Sequence, residues 1–575
     1  MIKYKSSKQQ TTINQKPLTW IKDCITLAKP FWISSEKYKA ISLITIIIIL
    51  NLAQVWITVI LNKWYNSFYT ALQNYDKASF SILIIRFCFI AFIAITCGVL
   101  ASLFLKFLEI KWRKWLINYY LNNWFNDKAF YKTRFLDQIS DNPDQRISED
   151  INSFIILTLS LTLGLLNSLV TLFSFIFILW NLSGNLNFSI GTEHFTIYGY
   201  LVWAALIYAI IGTYITFKIG KPLVKLDFQQ QAYEAGFRYS LVRIREYNEN
   251  IAFFSGENKE HHNIMYYFKL VVNNFVDIIY REMKIGIFGI GYAQIAIIFP
   301  FLVAAPKYFS KIIKLGDVMQ ISNAFGNVLN SLSFFVNSYS SLCGWRATMD
   351  RLIGFQRDIE EASKLTGLET KSGNNILELK NIDLHLPDGT FLAKNISFTL
   401  NSGDKLLIQG KSGCGKTSIL RAIAKLWHLA DGNIYQKPGV QSLFISQMPY
   451  LPIDSLAFAI SYPKAQHLPD EVQLKDILIK CHLSHLIDHL YGINDWSKIL
   501  SPGEQQRVAF CRILINKPDI VYLDESTSAL DEETEDELYK LLTTELPNIV
   551  IVSIAHRSNL AKWHNQNLNF NTLVG

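Results

Sequence analysis

A short glycine-rich segment at 410–417, Gly-Lys-Ser-Gly-Cys-Gly-Lys-Thr, has the residue types and spacing that bind phosphate. A β-rich run, 405–409, precedes it, and a run with helical spacing, 417–427, follows it. Backbone N–H groups at a helix start form a cradle for anions, and glycines let the backbone approach the phosphates. The pattern therefore predicts a P-loop in which Lys416 contacts the β- and γ-phosphates and Thr417 ligates Mg²⁺. The predicted nucleotide contacts are Gly410, Lys411, Ser412, Gly413, Cys414, Gly415, Lys416, Thr417 and Ser418.

A second candidate element is the apolar run 520–523, which ends in two adjacent carboxylates, Asp524 and Glu525. Phosphoryl transfer depends mainly on positioning and on neutralising charge. We therefore expect Asp524 to hold Mg²⁺ and Glu525 to activate or orient the attacking water. A strand ending in acids is weak by itself, but after a P-loop it predicts an ATP- or GTP-hydrolysing enzyme.

The run 500–507, Leu-Ser-Pro-Gly-Glu-Gln-Gln-Arg, resembles the signature sequence of ATP-binding cassette (ABC) proteins. Three further elements resemble that family: Gln447 its Q-loop, 528–531 its D-loop, and His556 its switch histidine. The resemblance implies that Ser501 and Gly503 contact the γ-phosphate. It also implies catalytic roles for Gln447 and His556 beside Glu525, and a metal-binding role for Gln447 beside Thr417 and Asp524.

This cassette departs from the usual family pattern at two places. Pro502 replaces the first glycine of the usual signature, which removes one backbone donor, but proline is favourable at the start of a helix. We therefore expect activity to survive. The adenine-stacking aromatic is expected where Leu386 stands, with His385 and Phe391 nearby. This substitution predicts weak discrimination between ATP and GTP.

The rest of the chain has the composition of a membrane protein. Half of its 575 residues are hydrophobic, 14% are aromatic and only 18% are charged. The net charge of +8 does not indicate nucleic acid, because the Lys and Arg residues lie beside apolar runs and follow membrane topology. Seven scattered Cys residues without a C-x-x-C pair indicate neither a disulfide framework nor a zinc site.

Six runs are long enough to span a bilayer: 41–62, 83–106, 153–180, 197–219, 285–305 and 318–342. Lys residues crowd the segment before the first run and Lys and Arg fill 107–152, whereas 181–196 has neither. The positive-inside rule therefore predicts that both termini and the cassette are cytosolic, although three Lys residues in 307–314 run against it.

These patterns predict a multidomain membrane protein with an all-α, six-helix, exporter-type transmembrane domain and an α/β P-loop ATP-binding cassette. The predicted parts are a cytosolic segment 1–40, a transmembrane domain 41–354, a linker 355–375 and a cassette 376–575. Within the first part, an amphipathic helix is expected at the membrane interface, with its apolar positions at Leu18, Ile21, Cys24, Ile25 and Ala28.

Polar and aromatic runs in the membrane half resemble the SbmA/BacA-type membrane domain. They are 28–35, 61–73, 110–116, 142–150, 237–239 and 249–257. Fused to a cassette, this domain is typical of bacterial YddA-like transporters and of the related peroxisomal subfamily D half-transporters. The resemblance implies a location in the bacterial inner membrane, a contact between the segment 249–257 and a cassette, and uptake in preference to export.

The sixth predicted span suggests the cargo. Asn323, Asn327, Asn330, Phe334, Asn337 and Ser341 form a stripe on one helix face. Such a stripe favours a polar solute, peptide- or cobalamin-like, over a free lipid, although amides also serve as hydrogen-bond partners between helices. One P-loop and one signature per chain predict a dimer of half-transporters, most simply a homodimer. The alternatives are an exporter or fatty-acyl transporter, or a nucleotide-gated channel or carrier with a regulatory cassette.

Overall fold

The computed structural model describes residues 18–136, 142–190, 193–463, 468–555 and 557–573. These residues divide into two compact units. The first is formed by the described parts of Met1–Asn126 and Gln138–Ile359, and the second by those of Asp127–Asp137 and Glu360–Gly575. The short segment after Asn126 therefore belongs to the second unit, although membrane-unit helices flank it in the sequence.

The first unit is helical, with one β-hairpin. Its elements, together with the short helix α4 of the second unit, are α1 (Leu18–Ile33), α2 (Lys37–Gln73), α3 (Lys77–Phe125), α4 (Ala129–Lys132), α5 (Pro143–Gln145), α6 (Ile151–Ser183), β1 (Asn185–Ile190), β2 (Glu193–Tyr198), α7 (Tyr200–Glu246), α8 (Asn248–Phe253), α9 (Glu257–Phe309), α10 (Leu315–Leu332), α11 (Phe334–Asn337) and α12 (Tyr339–Lys364).

Among the described residues, five helices are long and apolar enough to cross a membrane: α2, α3, α6, α7 and α9. They contain the first five predicted spans, apart from the first three residues of the fourth: two lie in β2 and Gly199 precedes α7. The 53 residues of α9 rise by about 80 Å, far beyond the roughly 30 Å of a hydrocarbon core. Helices α3, α7 and α9 therefore extend well past their apolar runs into the two long connections, 107–152 and 220–284.

The prediction of one continuous sixth helix over 318–342 is wrong. The segment is divided into α10, α11 and the start of α12, with interruptions at Ser333 and Ser338. Serine side chains can compete for backbone hydrogen bonds, which disfavours a helix interior. The ring of Phe334 lies 3.0 Å from the position of a Cβ on Gly164, so packing turns this residue toward α6. With its four amide side chains, α10 is not among the five helices that are long and apolar enough to cross a membrane.

The predicted amphipathic helix forms as α1, and one of its faces packs inside the first unit. Phe31 is buried and stacks on Trp112 with ring centroids 5.4 Å apart. Asp23 accepts a hydrogen bond from the guanidinium of Arg346 at 2.6 Å. Ile21 and Ile25, two of the predicted apolar positions, are exposed. An exposed apolar stripe is compatible with lipid contact.

The motif at 142–150 ends in a buried charge cluster. The carboxylate of Asp150 accepts a hydrogen bond from Arg146 at 2.5 Å and two from Arg351, at 2.9 and 2.6 Å. Asp150 and Arg146 are both buried. A buried carboxylate is stable only when it is paired, so this cluster fixes the start of α6 against α12.

The second unit is an α/β domain with two main sheets, and part of its hydrophobic core lies between them. Its strands are β3 (Thr370–Ser372), β4 (Leu377–His385), β5 (Phe391–Leu400), β6 (Lys405–Gln409), β7 (Ala430–Gln436), β8 (Ser442–Ile445), β9 (Asp454–Ser455), β10 (Ile493–Asn494), β11 (Ile520–Asp524), β12 (Val550–Ile554) and β13 (Gln566–Asn569). Its remaining helices are α13 (Lys416–Ile423), α14 (Leu456–Ser461), α15 (Glu471–Lys480), α16 (Trp496–Ile499), α17 (Pro502–Asn516) and α18 (Glu532–Glu545).

The larger sheet has the strand order β13-β6-β12-β11-β8, and all of its strands are parallel. The second sheet has the order β3-β7-β4-β5. The central strands are almost wholly buried, as expected for a parallel sheet covered on both faces. Because parallel strands end at the same edge, β6 and β11 deliver the P-loop and the two carboxylates to one side of the sheet.

The segment after Asn126 packs into this α/β domain. The ring of Phe135 lies 4.9 Å from the ring of His428 and 5.7 Å from that of Trp427. The ammonium of Lys128 donates a hydrogen bond to the carbonyl oxygen of Ala424 at 3.1 Å. Burial, together with the charges of Lys132 and Lys425, lowers the pKa of Lys128.

Candidate nucleotide-binding site

The glycine-rich segment joins β6 to α13, as the sequence predicted. Gly415 has φ +101°, a left-handed conformation that side chains other than glycine rarely adopt. A Cβ at Gly415 would also lie 3.0 Å from Leu392 Cγ, so a larger residue is excluded by space as well. Glycine at this position lets the loop turn tightly into the start of α13.

Lys416 is buried within the loop that precedes it. Its ammonium donates hydrogen bonds to the carbonyl oxygens of Gly410 and Lys411, at 2.8 and 2.9 Å. The N–H of Lys411 in turn donates to Asn571 Oδ1 at 2.9 Å. The loop is thus held in shape by its own lysine and by a side chain from the end of the domain. Sequence analysis missed Asn571, because no motif marks it.

Thr417 and Asp524, predicted to ligate the same metal ion, are brought together. Thr417 Oγ1 donates to Asp524 Oδ1 at 3.2 Å. Burial raises the pKa of Asp524, the hydrogen bond from Thr417 lowers it, and the charge of Glu525 raises it again. A bound cation would relieve this cost of burying charge. Hydroxyl and carboxylate oxygens are ligands that Mg²⁺ prefers, so this pair fits Mg²⁺.

Glu525 follows β11 directly and adopts φ +49°. Its N–H donates to the carbonyl oxygen of Ile554, the last residue of β12, at 3.0 Å. This bond fixes the residue between the ends of two strands, with its side chain half-buried next to Asp524. His556, the predicted switch histidine, lies outside the described residues.

The predicted signature forms the start of α17. Pro502 occupies the first turn, which confirms that proline is tolerated here. Ser501 caps the helix through a reciprocal bond with Glu504, whose carboxylate accepts from the Ser501 N–H at 2.9 Å. A Cβ at Gly503 would lie 3.2 Å from the Ala529 carbonyl oxygen, so glycine allows close contact with the D-loop.

Gln506 lies in the signature run, and the sequence predicted no role for it. The structure shows which loops its side chain bonds. Its amide nitrogen donates to the carbonyl oxygen of Gln447 at 3.0 Å and to Ser528 Oγ at 3.3 Å. Its amide oxygen accepts from the N–H of Ala529 at 3.0 Å. One buried side chain thus connects the signature helix to the predicted Q-loop and D-loop. In the sequence, only the position of Gln506 in the signature run indicated that it could have a role.

The remaining predicted contacts fall into two groups. Cys414 and Ser418 are buried, while Ser412, Gly413 and the side chain of Gln447 are exposed. Within the described part of the chain, no hydrogen bond or ion pair joins Ser501 or Gly503 to the P-loop. The chain therefore assembles the P-loop and the carboxylates in one place, and presents the signature separately.

Phe391, one of the two residues predicted near the adenine position, directly precedes a residue that packs against the P-loop. Its ring is partly exposed and lies 4.6 Å from that of His385, with the Lys394 ammonium 3.8 Å above it. The next residue, Leu392, is the one that contacts Gly415. Leu386 lies in the turn between β4 and β5, where its N–H donates to the carbonyl oxygen of Thr390 at 2.8 Å.

Comparisons with known proteins agree with both halves of this architecture. Residues 29–309 match the model of ABC transporter transmembrane region 2, and residues 393–528 match the ABC transporter cassette model. The inner membrane ABC transporter ATP-binding protein YddA of Escherichia coli is 32% identical, with 93% of this chain and 94% of that protein covered. The chloroplastic ABC transporter D family member 2 of Arabidopsis thaliana is 33% identical, with 95% and 85% covered.

The fold resembles a bacterial Atm1-family ABC exporter solved with ATP bound, with a TM-score of 0.70 over 93% of both chains at 17% identity. The predicted combination of a helical membrane domain and an α/β cassette is confirmed, as is the relation to YddA-like and subfamily D proteins. This chain belongs to the ABC transporter family, as a half-transporter whose cassette couples ATP hydrolysis to transport.

Proposed function

We propose that this protein uses ATP to move a polar solute, peptide- or cobalamin-like, across the bacterial inner membrane, and that it acts as a homodimer in the direction of uptake. The polar face of α10 carries the part of this proposal that concerns the cargo. Ala324, Phe325 and Val328 of the same helix are fully buried. Asn323 and Asn327 are half-buried and Asn330 is exposed, so the amides lie on the less buried face.

The hydrogen bonds of these amides oppose the alternative that they join helices in a dry bundle. Asn327 Nδ2 donates to the carbonyl oxygen and to Oδ1 of Asn323, at 2.9 and 2.8 Å, within α10. By contrast, Asn66 of α2 donates to Asp317 and Gln320 of α10, both at 2.7 Å, which is the expected geometry of an interhelical contact. Among the described residues, the hydrogen bonds of Asn327 stay within α10 and do not reach another helix. Amides without partners on other helices favour a hydrated path.

A cavity of about 630 Å³ lies between α2, α6 and α10. Its polar lining residues are Lys63, Ser174, Asn181 and Gln320, and its aromatic ones are Trp56 and Phe177. A concave site with mixed apolar walls and a few polar groups is typical of small-molecule binding. This cavity adjoins the same helix as the amide stripe, which supports a polar cargo with some apolar surface.

The catalytic part of the proposal assigns one task to each side chain. The P-loop backbone and Lys416 bind the β- and γ-phosphates, and Thr417 and Asp524, with Gln447, hold Mg²⁺. When bound, Mg²⁺ supplies neutralisation of phosphate charge. Glu525 orients the attacking water, with His556 assisting at the γ-phosphate. Glu525 directly follows Asp524, whose carboxylate accepts a hydrogen bond from Thr417, and this neighbourhood supports the assignment.

The dimer follows from the separation of the two halves of the site. Ser501 and Gly503 reach no P-loop residue within the described structure, so they are free to face a nucleotide held by a second chain. We place both termini and the cassette in the cytosol, from the distribution of Lys and Arg.

Cysteine scanning tests the polar pathway. In a background whose native thiols do not react, cysteines replace Asn327, Asn330 and Asn337, with Val328→Cys as the matched buried control. Membrane-impermeant thiol reagents should modify the three amide positions in at least one nucleotide state and spare position 328. Protection of all three positions in every state would contradict a hydrated path. Solute uptake into right-side-out and inside-out vesicles then decides the direction.

A further inference from the structure

Glu504 lies three residues after the signature serine, and its carboxylate contacts that serine directly. Glu504 Oε2 accepts a hydrogen bond from Ser501 Oγ at 2.7 Å, in addition to the one from the Ser501 N–H. The hydroxyl that would donate to a γ-phosphate is therefore already donated to a negatively charged group. A nucleotide phosphate must displace that bond and must also approach a second negative charge.

The other oxygen of the same carboxylate has its own partner. His485 Nε2 lies 2.8 Å from Glu504 Oε1. His485 belongs to the short 3₁₀ segment Ser484–His489, on a different element from the signature. Its side chain is about half exposed, at 54%, whereas that of Glu504 is 20% exposed. The histidine is therefore accessible to solvent, whereas its partner is largely enclosed.

The charged groups around this pair are accounted for. Burial raises the pKa of Glu504, but the hydrogen bonds from Ser501 and the contact with His485 lower it below its usual value. Charged side chains on the same and adjoining elements bond to partners of their own: His482 to Glu537 and Lys498 to Asp495, while Arg507 donates to the His482 carbonyl oxygen. Asp488 and His489 share the 3₁₀ segment with His485. Among the described residues, His485 is thus the charged group that acts on Glu504.

We propose that His485 is a positioning residue for the signature: when protonated, it holds and neutralises the Glu504 carboxylate and so releases the Ser501 hydroxyl for a nucleotide phosphate bound by the partner cassette. The proposal rests on the proposed role of Ser501 in a composite site. Protonated His485 weakens the carboxylate as a competitor for the hydroxyl proton and offsets its repulsion of the phosphate. Neutral His485 does neither.

The proposal makes ATP-driven cassette closure dependent on pH. Histidine changes charge between about pH 5 and about pH 8, so closure should weaken as the pH rises through that range. Because the pair is partly exposed, the effect is modest: half-maximal closure should need roughly fivefold more ATP at the upper end than at the lower. Closure is measured on the full-length dimer by the distance between spin labels on the two cassettes, in a Glu525→Gln background that excludes hydrolysis.

Three variants separate this effect from other groups that titrate in the same range. Glu504→Gln should close at low ATP at both pH values. His485→Gln should behave at both values like the parent at the upper pH. His485→Lys keeps the positive charge and should restore low-pH behaviour at the upper pH. Addition of His485→Gln to Glu504→Gln should change nothing, because the carboxylate on which it acts is gone. A parent-like pH profile in His485→Gln or in Glu504→Gln would overturn the proposal.

One further variant distinguishes failure of this proposal from failure of the composite site itself. Ser501→Arg should abolish closure at every pH. If it closes normally, the signature is not part of the nucleotide site and the proposed function is wrong at that point. If it blocks closure while the His485 variants keep the parent profile, only the role of His485 is refuted.

Discussion

The P-loop and the start of the signature helix both carry predicted phosphate contacts, but only at the P-loop does this chain bring the predicted groups together. At the P-loop, Lys416 is held by two carbonyl oxygens and Thr417 meets Asp524 at 3.2 Å. At the signature, Ser501 and Glu504 bond to each other and to His485. Under the proposed function, the P-loop half binds nucleotide by itself, while the signature half acts on a nucleotide held by a second chain. Changes to the two halves should therefore separate binding and chemistry from closure.

The largest effect is expected from Glu525→Gln. The variant keeps the size of the side chain but loses the charge that orients water, so steady-state hydrolysis should fall by at least about 100-fold while ATP-driven closure remains. Hydrolysis and closure are measured on the same preparation. Near-normal turnover would show that Glu525 is not the group that orients water.

Mixing two inactive chains tests the division between the halves. Chains with Lys416→Ala lose the P-loop and chains with Ser501→Arg lose the signature, but their heterodimer keeps one intact composite site. We expect closure in the mixture and none in either homodimer. Separate affinity tags confirm that heterodimers form. If confirmed heterodimers fail to close, the shared site is refuted.

Substitution of Gln506 tests whether closure requires the hydrogen bonds between the signature helix and its neighbouring loops. Gln506→Ala leaves the Gln447 carbonyl and the Ala529 N–H without their partner, which should cost about 1–3 kcal/mol of stability. Gln505→Ala is the matched control, because among the described residues the Gln505 side chain donates to the carbonyls of Ser497 and Leu500 and not to the Q-loop or the D-loop. Thermal unfolding should be affected in both variants, and closure only in Gln506→Ala. Equal closure in the two would show that the bridge is structural alone.

The smallest expected effect concerns the binding of the nucleotide's purine base. Phe391 is partly exposed next to the residue that contacts Gly415. Loss of one stacking ring costs about 1 kcal/mol, so Phe391→Ala should weaken ATP binding about fivefold, measured by equilibrium titration. Parallel titration with GTP checks the predicted weak discrimination between the two nucleotides. Unchanged affinities would mean that the base stacks elsewhere.

The motifs of the cassette were readable from the sequence because their chemistry is local. Gly410 to Thr417 are consecutive, and a strand before them and a helix after them are visible as runs. The meeting of Thr417 with Asp524, 107 positions later, was predictable only because parallel strands share an edge. Gln506 and Asn571 could not be assigned, because a lone amide in a sequence gives no sign of which loop it will bridge.

In the membrane half, the sequence predicted the length of the helices but not where a helix is interrupted. Apolar length predicted five spans, since each needs only enough hydrophobic residues. The prediction of a continuous sixth helix failed because nothing in the sequence marks Ser333 and Ser338 as helix interruptions. They interrupt the helix only in the context of the residues that pack around them. The position of Phe334 over Gly164 is one such neighbour, and no periodicity within 318–342 contains it.

Phe135 gives the cassette a discontinuous sequence. Its ring fits against Trp427 and His428, although nearly 300 residues separate them in the chain. A cassette transplanted between relatives as one block from Glu360 onward would arrive without that ring and with two aromatic residues uncovered. Recombination within this family should therefore succeed more often when 127–136 travels with the cassette that it packs against than when it stays with the helices that flank it.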